Sequence, residues 1–257
     1  VIALLALIAI VTFIAPQVLL YDPYQQDLSA SFQGPSAAHW FGTDQQGRDI
    51  FCRVLIGSQI SLTVGLLSVA ISLTIGVTLG ALAGYKGGVL DTVIMRVMDM
   101  MLAIPSILLA IAFMAALGRG IDKAIIAIGF VSIPEYARIV RSQVLSDYVA
   151  AARVIGDSDA LIIFRHVLPN VMPSIIVRAT LGISSAILDA AALGFLGLGV
   201  QPPAAEWGDM LGRGRNYIFA APHAMIFPGL AITVTVLAFN LLGDGIRDAF
   251  DPKSRNR

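Results

Sequence analysis

The chain has 257 residues, of which 57% are hydrophobic and 13% charged, and its mean hydropathy is +0.81. A soluble domain carries about a quarter charged residues, so this chain cannot cover itself with a polar surface, and part of its solvent is lipid. Its 17 basic and 17 acidic residues cancel, which argues against nucleic acid as a partner, and the single cysteine, Cys52, excludes an intrachain disulfide or a cysteine-based metal site.

A bilayer-crossing helix needs about 20 mostly apolar residues. Six segments meet that demand, at roughly 1–20, 58–83, 92–117, 122–140, 171–198 and 225–246. The chain opens at Val1 inside a hydrophobic run and without an initiator Met, so a short preceding segment is expected. That run lacks a small-residue cleavage site before Tyr21-Asp22-Pro23 and reads as the first membrane helix. The stretch 21–57, with His39-Trp40-Phe41-Gly42-Thr43-Asp44, is too polar to span and is expected to form a folded loop on one side. In the second span Gly76, Gly80 and Gly84 recur every fourth residue, a glycine groove into which another helix can pack closely. Arg96 and Asp99 stand three apart in the third span and share a helix face. Arg178 and Asp189 fall within the fifth, which ends in Gly194, Gly197 and Gly199 ahead of Pro202-Pro203. A charge at mid-bilayer costs about 2.5–3.5 kcal/mol, so these four residues must face protein or water. They either line a path through the membrane or pair between helices, with Arg178 snorkelling to the inner surface.

Basic residues concentrate in cytoplasmic loops. Placing both termini inside makes the turn at Lys86, the segment 138–169 and the tail 247–257 cytoplasmic, and puts 21–57 outside. The segment 147–169 reads as two short helices. Asp147 can cap the first, Gly156 can stop it, Asp157 or Ser158 can cap the second, and Pro169 ends that one. Val154, Ile155, Ile162, Ile163 and Phe164 are expected to be exposed there, as a docking surface.

Ala150-Ala151-Ala152, Gly156 and Leu168-Pro169 resemble the Glu-Ala-Ala…Gly…Leu-Pro signature of bacterial ABC importer permeases, with Ala150 standing where the signature has Glu. Four further blocks, in the same order, narrow the resemblance to the peptide/nickel branch. They are Phe41-Gly42-Thr43-Asp44 with Gly47-Arg48-Asp49; Ala83-Gly84-Tyr85 with Asp91; Leu193 to Gly199 with Glu206-Trp207-Gly208; and Phe239 to Asp248 with Asp251-Pro252. The chain looks most like the C-type membrane subunits of dipeptide permeases. The resemblance implies an all-α polytopic membrane protein, a type I ABC importer transmembrane domain of about six spans with a cytoplasmic coupling helix. The implied division is 1–20 first transmembrane helix, 21–57 extracytoplasmic loop, 58–246 permease core with the coupling region 147–169, and 247–257 cytoplasmic tail. It also implies that Ala150, Ala151, Ala152, Gly156, Ile163, Leu168 and Pro169 couple to the ATPase. The implied partners are a second homologous permease, two ABC ATPase subunits, an extracytoplasmic substrate-binding protein and membrane lipid. Family members are a few residues longer between Ser146 and Asp147.

No phosphate-binding Gly-x4-Gly-Lys-Ser/Thr stretch, nucleophile elbow or His-Glu-x-x-His occurs. The chain is therefore expected to hold no catalytic residue and no cofactor, with ATP and magnesium bound by the partner ATPases. His39, His166 and His223 have no ligand-like spacing, so no metal site is expected. The expected function is import of dipeptides or short peptides into the cell across the bacterial inner membrane, by alternating access. Glutathione or nickel could be carried by the same architecture. An ion-coupled secondary transporter, with Asp99 and Asp189 as its ionisable groups, would leave 147–169 unexplained. Interhelical pairing of the membrane charges is the favoured reading, because a permease passing many side chains avoids a tight charged cage.

Overall fold

The computed structural model describes residues 19–145 and 161–250 (the Phe164 side chain excepted), with Ile8, Ile10, Thr12, Phe13, Ile14, Gln17, Val149, Ala152, Val154, Ile155 and Ser158. These residues form helices and loops; no β-strand occurs among them beyond the single bridge between Thr43 and Asp49.

Helix α1, Ile50–Lys86, starts where the Asp49 carboxylate accepts the Cys52 N–H at 2.7 Å and stops at Gly87, which takes the positive φ (+63°) that a side chain disfavours. It begins well before residue 58, so it takes in residues 50–57 of the stretch expected to be loop. At 1.5 Å per residue it is about 55 Å long, longer than a hydrocarbon core of about 30 Å.

The third predicted span is not one helix. It divides into α2, Gly88–Leu102, and α3, Ser106–Leu117, bent by 98°. Proline restricts the residue before it to extended backbone, so Ile104-Pro105 breaks the run. The fourth also divides, into α4, Ile121–Val131, and α5, Ile133–Val144, meeting at Ser132 ahead of Pro134. A π-turn, Ile162–Val167, then leads without interruption into α6, Leu168–Phe195. The second short helix therefore does not stop before Pro169. The wider turn gives room to a ring that would otherwise strike the carbonyl four residues back. Gly197 (φ +74°) ends α6, with Leu198 N–H bonded to Leu193 O and Gly197 N–H to Gly194 O. Helix α7, Trp207–Gly214, and helix α8, His223–Phe250, complete the order.

Among the described residues, three helices are long and apolar enough to cross a membrane: α1, Arg165–Phe195 and α8. The α2–α3 pair makes a fourth if counted as one broken span. The first predicted span lies mostly outside the described residues.

Helix α1 is the axis of the bundle, with α5, α6, α4 and α2 packed along it and α8 packed on α6. Its glycine face does what the spacing predicts. A Cβ at Gly76 would sit 2.6 Å from Tyr136 Cβ, one at Gly84 2.8 Å from Val144 Cβ, and one at Gly80 would overlap the Ala137 carbonyl. Helix α5 therefore lies in the groove. The largest core cluster joins α1, α3, α4, α5 and α6 through residues such as Val64, Met114, Ile128, Tyr136 and Ile187.

Residues 21–49 close the end of the bundle where α1 begins. Phe32 N–H donates to Asp44 O and Asp27 N–H to Gln46 O, and Phe41 stacks on Phe227 of α8 at 3.9 Å. Trp207 Nε1 donates to Val54 O at 2.9 Å, which brings α7 into the same cap.

Candidate functional site

At the opposite end, the segment after α5 is half built into the bundle. Val149, Ala152, Ile162 and Val167 are buried in one apolar cluster with Val140 and Val144 of α5 and Val171 and Ile175 of α6. Val154 and Ile155 are 88% and 80% exposed. Ile162, expected at the surface, is instead fully buried. It falls on the inward side of the π-turn, where apolar contact with α5 is available. Ile163 and Leu168 are half-buried and Pro169 is exposed. Ala150, Ala151 and Gly156 lie outside the described residues, as do Asp147, Asp157 and the Ser146–Asp147 junction. The arrangement sets an outward apolar face on a foundation shared by two helices.

Helix α5 also carries a ladder of charges on successive turns. Arg141 donates to both carboxylate oxygens of Asp91 on α2, from Nε at 2.5 Å and Nη2 at 2.6 Å. Arg138 Nη2 donates to Asp99 Oδ1, also on α2, at 2.5 Å. Glu135 pairs with Arg178 of α6. Of the membrane charges singled out from the sequence, Asp99 thus reaches across to α5 and does not pair with Arg96, its neighbour on the same helix. Arg178 is likewise paired between helices. Arg96 and Asp189 make no hydrogen bond or ion pair within the described residues. The ladder was missed because Arg138 and Arg141 read only as loop charges. The available signal was the three-residue spacing of Glu135, Arg138 and Arg141 on one helix.

At the loop end, Glu206 caps α7 with both carboxylate oxygens, accepting Gly208 N–H and Asp209 N–H at 2.8 Å each. It is buried against Gly194, and burial pushes its pKa up to about 7. His39 Nδ1 stands 2.8 Å from the Asp49 carboxylate that caps α1. No group of three or more His, Cys, Asp or Glu side chains that could hold a metal ion occurs among the described residues.

The family model of the binding-protein-dependent transport system inner membrane component matches residues 76–256, which covers the axis helix from its glycine face, the charge ladder and the half-built segment. The chain belongs to that family. As an inner membrane component of this kind it is 49% identical, over 99% of its length and 86% of the relative's, to the dipeptide transport system permease protein DppC of Alkalihalophilus pseudofirmus. The glutathione transport system permease protein GsiD of Pectobacterium atrosepticum is also 49% identical, over 98% of this chain and 85% of the relative. In fold, the inner membrane component resembles a chain of the inward-facing MetNI methionine ABC transporter. The TM-score is 0.65 at 20% identity, over 78% of this chain and 97% of that one.

Proposed function

We propose that this chain is a channel-forming membrane subunit of an ATP-binding-cassette importer that carries dipeptides or similarly short peptides into the cell. The observation that carries this reading is the 49% identity to a dipeptide permease over nearly the whole chain. A second homologous permease completes the channel, two ABC ATPases bind and hydrolyse ATP with magnesium, and an extracytoplasmic protein delivers the peptide. This chain supplies no catalytic residue. The distribution of basic residues supports cytoplasmic termini and places the polar stretch 21–57 on the outer side.

In this reading the ATPases grip the segment 147–169. ATP drives the cycle only if it prefers one of two bundle conformations, since a ligand without differential affinity shifts nothing. The burial of Ala152 and Ile162 against α5 and α6 supports this segment as the point where closure enters the bundle. Its exposed Val154 and Ile155 suit a protein groove. The α5 ladder then carries the motion to α2 and α6. Asp189 and Arg96, the membrane charges left without partners among the described residues, are the groups assigned to the translocation path.

Glutathione, itself a short peptide, is the second reading, favoured by the GsiD relative. The test is purification of the tagged chain from its native membrane, mass spectrometry of what co-elutes, and uptake of a labelled dipeptide by liposomes holding the complex. Co-elution of a second permease and ABC ATPases, with ATP-dependent dipeptide uptake, is the expected result. Uptake displaced by glutathione but not by dipeptides would transfer the assignment to glutathione. Transport by the chain without any ATPase would overturn the importer reading.

A further inference from the structure

Asp189 stands six residues before the end of α6, about 9 Å inside it at 1.5 Å per residue. A carboxylate on so short a side chain cannot snorkel to the bilayer surface as a lysine or arginine does, so it must meet water or a cation where it stands. It is half-buried, and it has no hydrogen bond, ion pair or charged neighbour among the described residues.

The chain has no basic group to offer it. Helix α6 packs on α1, α3, α4, α5, α7 and α8. Helix α3 carries no charged residue, and the basic residues of α4, α5 and α7 each face an acid of their own. Arg53 of α1 is buried in the cap, where it donates to Pro23 O at 2.9 Å. Lys86 and Arg247 stand at the other end of the bundle, in the last turns of α1 and α8. Arg178 lies on nearly the same face of α6, but three turns and about 16.5 Å away, and it pairs with Glu135. Residues 1–18 hold no Lys or Arg, and Arg153 and the basic residues of 251–257 follow the far ends of α5 and α8 in sequence. The counter-charge of Asp189 therefore comes from another molecule.

One turn inward from Asp189 is Ser185 and one turn outward is Ala192, and Ser185 is exposed. These small side chains leave room for a chain to lie beside the carboxylate. Every short peptide, glutathione included, carries an α-ammonium whatever its other side chains. A single carboxylate can recognise that whole class without caging the parts that vary.

We propose that Asp189 receives the ammonium group of the peptide in the membrane path. The inference rests on the importer reading and deepens it, since it makes the path itself selective for a free amino terminus. It holds for dipeptide and glutathione cargo alike.

The test uses the complete transporter in proteoliposomes, with its second permease, ATPases and binding protein. Labelling of Asp189 by a membrane-soluble carbodiimide is followed by mass spectrometry, with Ala-Ala or N-acetyl-Ala-Ala present. The acetyl compound keeps the carboxylate and lacks the ammonium. Ala-Ala is expected to slow labelling on the order of tenfold at roughly ten times its half-protecting concentration, and N-acetyl-Ala-Ala to leave it unchanged. Asp189→Asn is expected to cut ATP-dependent Ala-Ala uptake on the order of tenfold, with the partner subunits recovered as in wild type. Asp189→Glu, which keeps the charge, is expected to retain most of the uptake. Protection by both compounds alike, or by neither, overturns the proposal. So does an Asp189 that the carbodiimide cannot label, or loss of partner subunits from Asp189→Asn, since either result assigns its counter-charge to the second permease. Wild-type uptake without protection of Asp189 sinks this proposal alone. Failure of uptake itself falls on the importer reading, and the labelling still decides what Asp189 binds.

Discussion

Single residues at close approaches have the sharpest consequences. A methyl group at Gly80 would enter the Ala137 carbonyl, and backbone cannot step aside as a flexible side chain can. Gly80→Ala is therefore expected to destabilise the protein by about 1–3 kcal/mol through overpacking. Gly245→Ala, whose added Cβ meets nothing within 4 Å, should stay within about 0.5 kcal/mol of wild type. Thermal unfolding of the two variants side by side checks the contrast. Glu206 gives a pH prediction. Its carboxyl sits at about 7 in the folded protein against an ordinary 4.5, so between those values the folded state keeps a proton that the unfolded chain has released. Stability therefore falls as pH rises through that window, because the folded state must ionise a buried acid. Glu206→Gln should flatten that slope while losing one of the two cap bonds to α7, worth about 1 kcal/mol. Melting curves from pH 4.5 to 7 would show both effects. The spacing of Gly76, Gly80 and Gly84 made the glycine face legible in advance. The burial of Glu206 was not legible, because it depends on Gly194 and Ser61, distant in sequence, closing around it.

At the scale of elements, α5 is where the bundle converts position into charge pairing. Its three pairs point to two different helices, so a shift of α5 relative to α2 or α6 must break or stretch them. The Arg141–Asp91 pair is bidentate and partly sheltered, and geometry of that kind makes an ion pair count for more than a loose surface contact. Asp91→Arg alone is expected to reduce ATP-dependent uptake on the order of tenfold, since it places two arginines against each other. The exchange Asp91→Arg with Arg141→Asp should restore a substantial part of it. Uptake in the double variant no better than in the worse single variant would remove the pair from the mechanism. The break between α2 and α3 was readable in Pro105, and the division of α4 from α5 in Pro134. The pairing across α2, α5 and α6 was not, because helices distant along the chain supply the partners.

Over the whole molecule, the two ends of the bundle do different work. The loop end is a polar cap tied down by side-chain bonds and ring stacking, whereas the other end exposes Val154 and Ile155 above an apolar foundation. Val154→Asp with Ile155→Asp is expected to leave the fold intact, because neither side chain is buried. The change should lower recovery of ATPase subunits with the tagged chain on the order of tenfold, the loss typical of charging the apolar centre of an interface. Quantitative mass spectrometry of the co-purified complex measures it, and unchanged ATPase recovery would locate docking elsewhere. What the sequence by itself determined is the solvent and the parts list. Apolar composition demands lipid, apolar runs and proline positions mark the helices, and signature blocks give the family, since each of these is encoded locally. The tertiary structure alone decided which charges meet, which way Ile162 turns and where Arg53 is buried. Those outcomes follow from packing between segments far apart in the chain, and no local pattern encodes them.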